Sequence, residues 1–239
     1  RPHGDGNAAR LRKRDAAVMQ HLCAFLCEQP YEGSVCLGGH ELAELSAREI
    51  AASVGYLGHD PELWNDTVEA NVLCGSDGDA MQWLSMTALD GEVRAMEQGV
   101  QTVVGSNGVR LSGGQAQRLA LARTLAHPRP LMILDDPFSA LDRKTEEEVF
   151  ANLRKFTADS IVILLSHRLY LFPEMDQVLW MEAGKVTAGT HEQILEKFPE
   201  YARLYEAQAG SDGSREHAPQ TPGDHKAADK EEKPEERRD

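Results

Sequence analysis

Asp135 and Asp136 stand at the end of the apolar run Leu131-Met132-Ile133-Leu134. His167 follows a second such run, Ile161-Val162-Ile163-Leu164-Leu165, with Ser166 between and Arg168 after it. A carboxylate or an imidazole at a strand end can hold a cation or move a proton, and the carboxyl edge of a parallel sheet is where open α/β folds bind ligands. A third group precedes them: Leu111-Ser112-Gly113-Gly114-Gln115, followed at once by an apolar-periodic run from Ala116 to Leu125. Ser112 has the chemistry of a helix N-cap, and the glycines let backbone approach a ligand. The first turn of the helix offers unpaired N–H groups and a positive partial charge, so an anion fits there. An ordinary capped helix would carry the same string, so the pentapeptide alone does not decide the matter.

These groups need elements to hold them. The two apolar runs are short enough for buried parallel strands, and residues 54–57 read as another short strand. Residues 34–37 read as a short strand between turns at Pro30-Tyr31-Glu32-Gly33 and Gly38-Gly39. Helical spacing of Val18, Leu22, Phe25 and Leu26 predicts a helix over 16–26. Residues 71–98 read as two or three short helices with Met81, Leu84, Met86 and Leu89 as candidate core. A helix over 115–126 is ended by His127-Pro128-Arg129-Pro130. A further helix is predicted over 144–156. A hairpin is predicted from 176–181 and 185–188 around Glu182-Ala183-Gly184. A last helix is predicted to start at Gly189-Thr190-His191-Glu192-Gln193 and to run through Ala207.

Composition narrows the class. The chain has 239 residues, 41% of them hydrophobic, enough for a sizeable core. The formal net charge of −14 argues against a nucleic-acid-binding surface, which needs clustered Lys and Arg. Cys23, Cys27, Cys36 and Cys74 match no zinc spacing, and buried reduced thiols in a reducing compartment are the expectation. No apolar run approaches the roughly 20 residues that cross a bilayer. The chain begins at Arg1 rather than Met, so any membrane part is expected upstream or on another chain. Residues 210–239 turn to Ser, Pro, Gly and charged residues and are expected to form a disordered charged tail.

The order and spacing of these motifs resemble the nucleotide-binding domain of ATP-binding-cassette (ABC) transporters of exporter type. Leu111 to Gln115 looks like the signature motif, Leu131 to Asp136 like the Walker B strand, Ser139-Ala140-Leu141-Asp142 like the D-loop, and His167 like the switch histidine. The resemblance covers about residues 30 to 208. It implies an α/β, RecA-like P-loop NTPase core with a mostly parallel sheet. A helical subdomain carrying the signature, about 71–126, and an incomplete N-terminal antiparallel sheet complete the expected domain, 1–209. The implied cofactors are ATP and Mg²⁺, with Asp135 as metal ligand and Asp136 as the acid beside the attacking water. The implied nucleotide contacts are Leu111, Ser112, Gly113, Gly114, Gln115, Ser139 and Asp142.

Departures from the family pattern fall on one side of the site. No GxxxxGK[ST] string is present. Gly4-Asp5-Gly6-Asn7-Ala8 can stand where the family has G-x-G-K-S, or the loop falls near residues 14–18, which contain no glycine. Neither register keeps both the phosphate-binding lysine and the Mg²⁺-binding hydroxyl. His59 occupies the place of the Q-loop glutamine and can imitate only part of an amide. Asp136 stands where active members carry glutamate. Its side chain is roughly 1.5 Å shorter, and misplacement on that scale can cost ~100-fold in rate.

Two such domains pair head to tail in this family, each ATP lying between one phosphate loop and the other signature. The impaired phosphate side and intact signature predict the degenerate half of a heterodimer, docked on a transmembrane permease at the cytoplasmic face of the membrane. The alternative is a non-enzymatic relic that binds no nucleotide usefully. Trp64 and Trp83 read either as core or as contacts to the permease.

Overall fold

A computed structural model describes residues 36–182 and 185–215 of the chain. The helix expected over 16–26, Cys23, Cys27, and the candidate phosphate loop Gly4, Asp5, Gly6, Asn7 and Ala8 lie outside the described residues. Cys36 and Cys74 are exposed thiols, where burial was expected.

The described chain opens with a hairpin of two-residue strands, β1 (Cys36–Leu37) and β2 (His40–Glu41). Then come α1 (Ala47–Ser53) and β3 (Val54–Leu57). Three short helices follow, α2 (Val68–Leu73), α3 (Ala80–Met86) and α4 (Asp90–Arg94). Next are α5 (Gly113–Ala126), β4 (Leu131–Asp135), α6 (Arg143–Phe156) and β5 (Ile161–Leu165). A 3₁₀ turn over Leu169–Glu174 leads to the antiparallel pair β6 (Val178–Glu182) and β7 (Lys185–Gly189). Two helices close the order, α7 (His191–Lys197) and α8 (Pro199–Arg215).

Strands β3, β4 and β5 form a parallel sheet in that order. The register pairs Leu57 with Leu134 and Asp135 with Leu165. All three strands therefore end at one edge, and the segments leaving them carry His59, Asp136 and His167. This is the α/β, P-loop NTPase-like core the sequence implies. Among the described residues the N-terminal antiparallel sheet is reduced to the β1–β2 hairpin.

Helix α5 joins two cores. Ala120, Leu121 and Leu125 pack with Leu57, Met132, Leu134 and Phe138 of the sheet side. Leu119 and Ala122 pack with Val68, Val72, Leu84, Leu89 and Val93 of the short helices. Each fully buried leucine contributes on the order of 1.5–3 kcal/mol. A helix buried against two cores shows no single apolar stripe, and α5 spreads its leucines and alanines over both sides, with Gln117 and Arg118 buried among them.

Two predicted boundaries differ. The last helix breaks into α7 and α8 at Phe198, whose φ of −119° and ψ of 97° are extended. Pro199 explains the break, because its ring disfavours helical backbone in the preceding residue. Helix α8 then runs to Arg215, past the start of the stretch expected to be disordered. Extending a nucleated helix by a turn costs far less than starting one. Trp83 proves to be core: its ring meets Phe156 edge-on at 5.3 Å. Trp64 stays 52% exposed, with the Arg123 guanidinium 5.4 Å over its ring.

Among the described residues no helix is long and apolar enough to cross a membrane.

Candidate functional site

Asp136 lies in the left-handed region, with φ 48°. That conformation is uncommon for a residue with a Cβ, and aspartate tolerates it better than most. It is fixed by an N–H bond to the Leu165 carbonyl at 2.7 Å and by the Ser139 N–H donating to the Asp136 carbonyl at 3.1 Å. The turn sends the carboxylate between the ends of β3 and β5. Asp136 Oδ2 lies 2.8 Å from His167 Nδ1 and 3.9 Å from His59 Nδ1. Asp136 Oδ1 is buried without a hydrogen-bond partner. The three expected catalytic residues are thus together, one carboxylate flanked by two imidazoles.

The contact with Asp136 raises the pKa of His167 above the ordinary 6.5; burial opposes it, the Asp136 charge adds, Arg168 subtracts and Glu146 adds. A histidine raised by folding stabilises the fold below its unfolded value and loses that contribution as pH rises through the folded value. Asp136→Asn is expected to bring the His167 titration down toward 6.5, as read by NMR of the imidazole. An unmoved midpoint would show that the 2.8 Å contact does not exist in solution.

Asp135 ends β4 beside this group. Burial is the largest influence on its carboxyl and raises its pKa; His59 opposes, and the charges of Asp136 and Asp60 raise it further. Among the described residues no set of three or more His, Cys, Asp or Glu could hold a metal by itself. Mg²⁺ needs no such cage when it arrives on a nucleotide, since one or two carboxylates plus phosphate oxygens suffice. A crowded acid that resists ionising alone fits that use, because a divalent cation would relieve the repulsion. Asp135 would hold the ion, which would neutralise developing phosphate charge.

The signature forms the N-terminus of α5. Ser112 Oγ accepts from the Gln115 N–H at 3.2 Å, and the Gln115 side chain accepts from the Ser112 N–H at 2.8 Å, a reciprocal capping box. The amides of Gly113 and Gly114 have no intrahelical partner. Ser112 and Gly113 are exposed. Gly114 is tighter: a Cβ there would lie 2.7 Å from the Ala140 carbonyl oxygen. The signature and the D-loop therefore touch backbone to backbone. Leading into the signature, a Cβ on Gly108 would lie 2.2 Å from the Val103 oxygen, so that turn also requires glycine. Asp142, expected among nucleotide contacts, is the N-cap of α6. Its two oxygens accept from the Thr145 N–H at 3.1 Å and the Thr145 hydroxyl at 2.6 Å.

Two bracing networks were not legible beforehand. Glu92 on α4 accepts from Gln115 at 2.6 Å and from Arg118 at 2.6 Å. Burial disfavours its charge, yet these two bonds outweigh it and hold its carboxyl below the ordinary range. Arg118 also donates to the Gly114 and Ala88 carbonyls, locking the first turn of the signature helix to the short helices. Arg168 forms the second network. Its guanidinium donates to the carbonyls of Phe138, Ser139 and Leu141 at 3.0, 3.3 and 3.3 Å. It also pairs with the Glu146 carboxylate at 2.6 Å. Burial, followed by hydrogen bonding to Glu146, pushes the Tyr170 phenol beside it up to about 12. The switch-histidine segment is thereby tied to the D-loop. Periodicity could have exposed Glu146, since it shares a helix face with Val149, Phe150 and Leu153.

A sequence profile of the family described as ABC transporter matches residues 19–139. The "ATP-dependent lipid A-core flippase" of Burkholderia pseudomallei (strain 1710b) is 38% identical over 187 residues, covering 77% of this chain and 31% of that protein. The protein of the same description from Cupriavidus pinatubonensis (strain JMP 134 / LMG 1197) is 34% identical over 190 residues, 75% of this chain and 32% of that protein. A solved structure of a bacterial Atm1-family ABC exporter with ATP bound aligns with a TM-score of 0.74 at 30% identity. It covers 81% of this chain and 35% of that one. The chain spans about a third of the length of the curated relatives it matches.

Proposed function

Because the chain belongs to the ABC transporter family, we propose that it is the nucleotide-binding part of an exporter, coupling ATP binding and hydrolysis to transport across a membrane. It works as the degenerate half of a heterodimer. The supporting observation is the contrast between its two sides. The signature turn is capped, braced from behind by Glu92 and Arg118, and exposes Ser112 and Gly113. The phosphate side has a shortened acid at Asp136, an imidazole at His59, and no GxxxxGK[ST] string. In this reading Ser112, Gly113 and Gly114 contact the γ-phosphate of an ATP held by an intact partner. Trp64, exposed beside the helical subdomain, faces the permease at the cytoplasmic side of the membrane.

The test is equilibrium binding of Mg-ATP to the purified 239-residue chain, with turnover recorded in the same sample. The chain alone is expected to bind and hydrolyse poorly. Adding a partner domain with an intact phosphate loop restores both, and Ser112→Arg then lowers turnover on the order of 100-fold by misplacing the phosphate contact. Tight binding with ready turnover by the chain alone would overturn the degenerate-half reading. No binding with or without a partner would leave a relic that uses no nucleotide.

A further inference from the structure

The far end of the described chain reaches back to the segment that carries His167. Helix α8 seats Tyr201 fully buried, its hydroxyl 2.6 Å from His191 Nδ1 and its ring 5.7 Å from Trp180. Positions 201, 204, 205 and 208 share one face of a helix. Gln208 therefore turns toward the loop after β5 and is half-buried there. It finds two peptide groups of one loop. The Leu169 N–H donates to Gln208 Oε1 at 2.8 Å, and Gln208 Nε2 donates to the His167 carbonyl at 2.7 Å. One side chain thus clamps both neighbours of Arg168, and a primary amide is suited to this because it carries a donor and an acceptor side by side.

The clamp completes the restraint on this loop. Arg168 anchors its centre to the D-loop carbonyls and to Glu146. Ser166 Oγ accepts from the Arg168 N–H at 3.0 Å. Without Gln208 the peptides on both sides of Arg168 lose their bonds to α8, and the His167 ring is free to rotate off Asp136. We propose that Gln208 is a positioning residue for His167, and that α8 sets the orientation of the switch histidine through this single amide. The proposal rests on the reading of His167 as a residue that serves the ATP site.

The test uses the whole chain without nucleotide, so that it reads positioning separately from turnover. Gln208→Leu removes both bonds at similar volume. Gln208→Glu keeps the acceptor for Leu169 and loses the donor to His167, and it serves if the leucine variant fails to fold. In Gln208→Leu the Leu169 amide should exchange on the order of tenfold faster, as loss of one ordinary hydrogen bond allows. The His167 imidazole signals should move toward those of a histidine with no carboxylate partner, with Gln208→Glu between. Folded variants whose His167 signals and Leu169 exchange match the parent would overturn the proposal. Displaced His167 signals with unchanged turnover in the assembled transporter would support the positioning and count against the ATP role of His167.

Discussion

Arg168→Met lowers the unfolding free energy of the chain by about 3–5 kcal/mol at neutral pH. Glu146 is fully buried, and the Arg168 guanidinium pairs with its carboxylate at 2.6 Å. Removing the cation strands a charge in the interior and also frees the carbonyls of Phe138, Ser139 and Leu141. The loss is a large share of the 5–15 kcal/mol by which domains of this kind are stable. The deficit depends on pH. Burial already raises the Glu146 pKa above 4.5, against bonds from Tyr170 and charges from Arg168 and Arg143. Without Arg168 that rise grows. A carboxyl raised by folding holds its proton more tightly in the folded state, so stability falls as pH climbs from the unfolded value through the folded one. Urea titrations at pH 5 and pH 8 should therefore show the larger loss at pH 8. A loss below about 1 kcal/mol, typical of an exposed pair, would mean Glu146 is not buried in solution. Glu146→Gln should cost less, because Arg168 keeps its carbonyl partners and part of its exposure to water.

Gly114→Ala lowers stability and, in the proposed assembly, ATP turnover, whereas Gly113→Ala does not lower stability. Alanine normally improves a helix over glycine by roughly 1 kcal/mol. At Gly113 nothing opposes that gain, since the nearest atom to a new Cβ is the Ala140 methyl at 3.9 Å. At Gly114 the new Cβ would sit 2.7 Å from the Ala140 oxygen, which belongs to backbone and cannot rotate away. Overpacking of this kind costs about 1–3 kcal/mol, so the clash outweighs the propensity. The D-loop or the signature must move by several tenths of an ångström or more, and a misplacement near 1 Å can cost on the order of 100-fold in rate. Thermal melts and ATPase assays of the two variants side by side check this. Equal stability for both would refute the backbone contact between signature and D-loop.

The local elements were readable because each has a short-range cause. Ser112 and Gln115 form the capping box their spacing allows, the two apolar runs became β4 and β5, and residues 54–57 became β3. The gathering of Asp136, His167 and His59 followed from placing each at the end of a parallel strand. What the sequence concealed are contacts between residues far apart in the chain. Nothing near Glu92 indicates that it would take both Gln115 and Arg118, and nothing near Gln208 points to the peptides of His167 and Leu169. The break at Phe198 had a visible local cause in Pro199, against which the helical pattern on either side reads as continuous.

Helix α5 places Leu119 and Ala122 in one core and Ala120, Leu121 and Leu125 in the other. Neither half of the protein owns it. Excising the short helices would leave apolar side chains of α5 facing water, and removing α5 would open the sheet as well. The part carrying the signature is therefore not a transplantable module. Grafting it onto a related domain requires taking α5 and matching both sets of neighbours, and amides along α5 should exchange only when the whole unit opens.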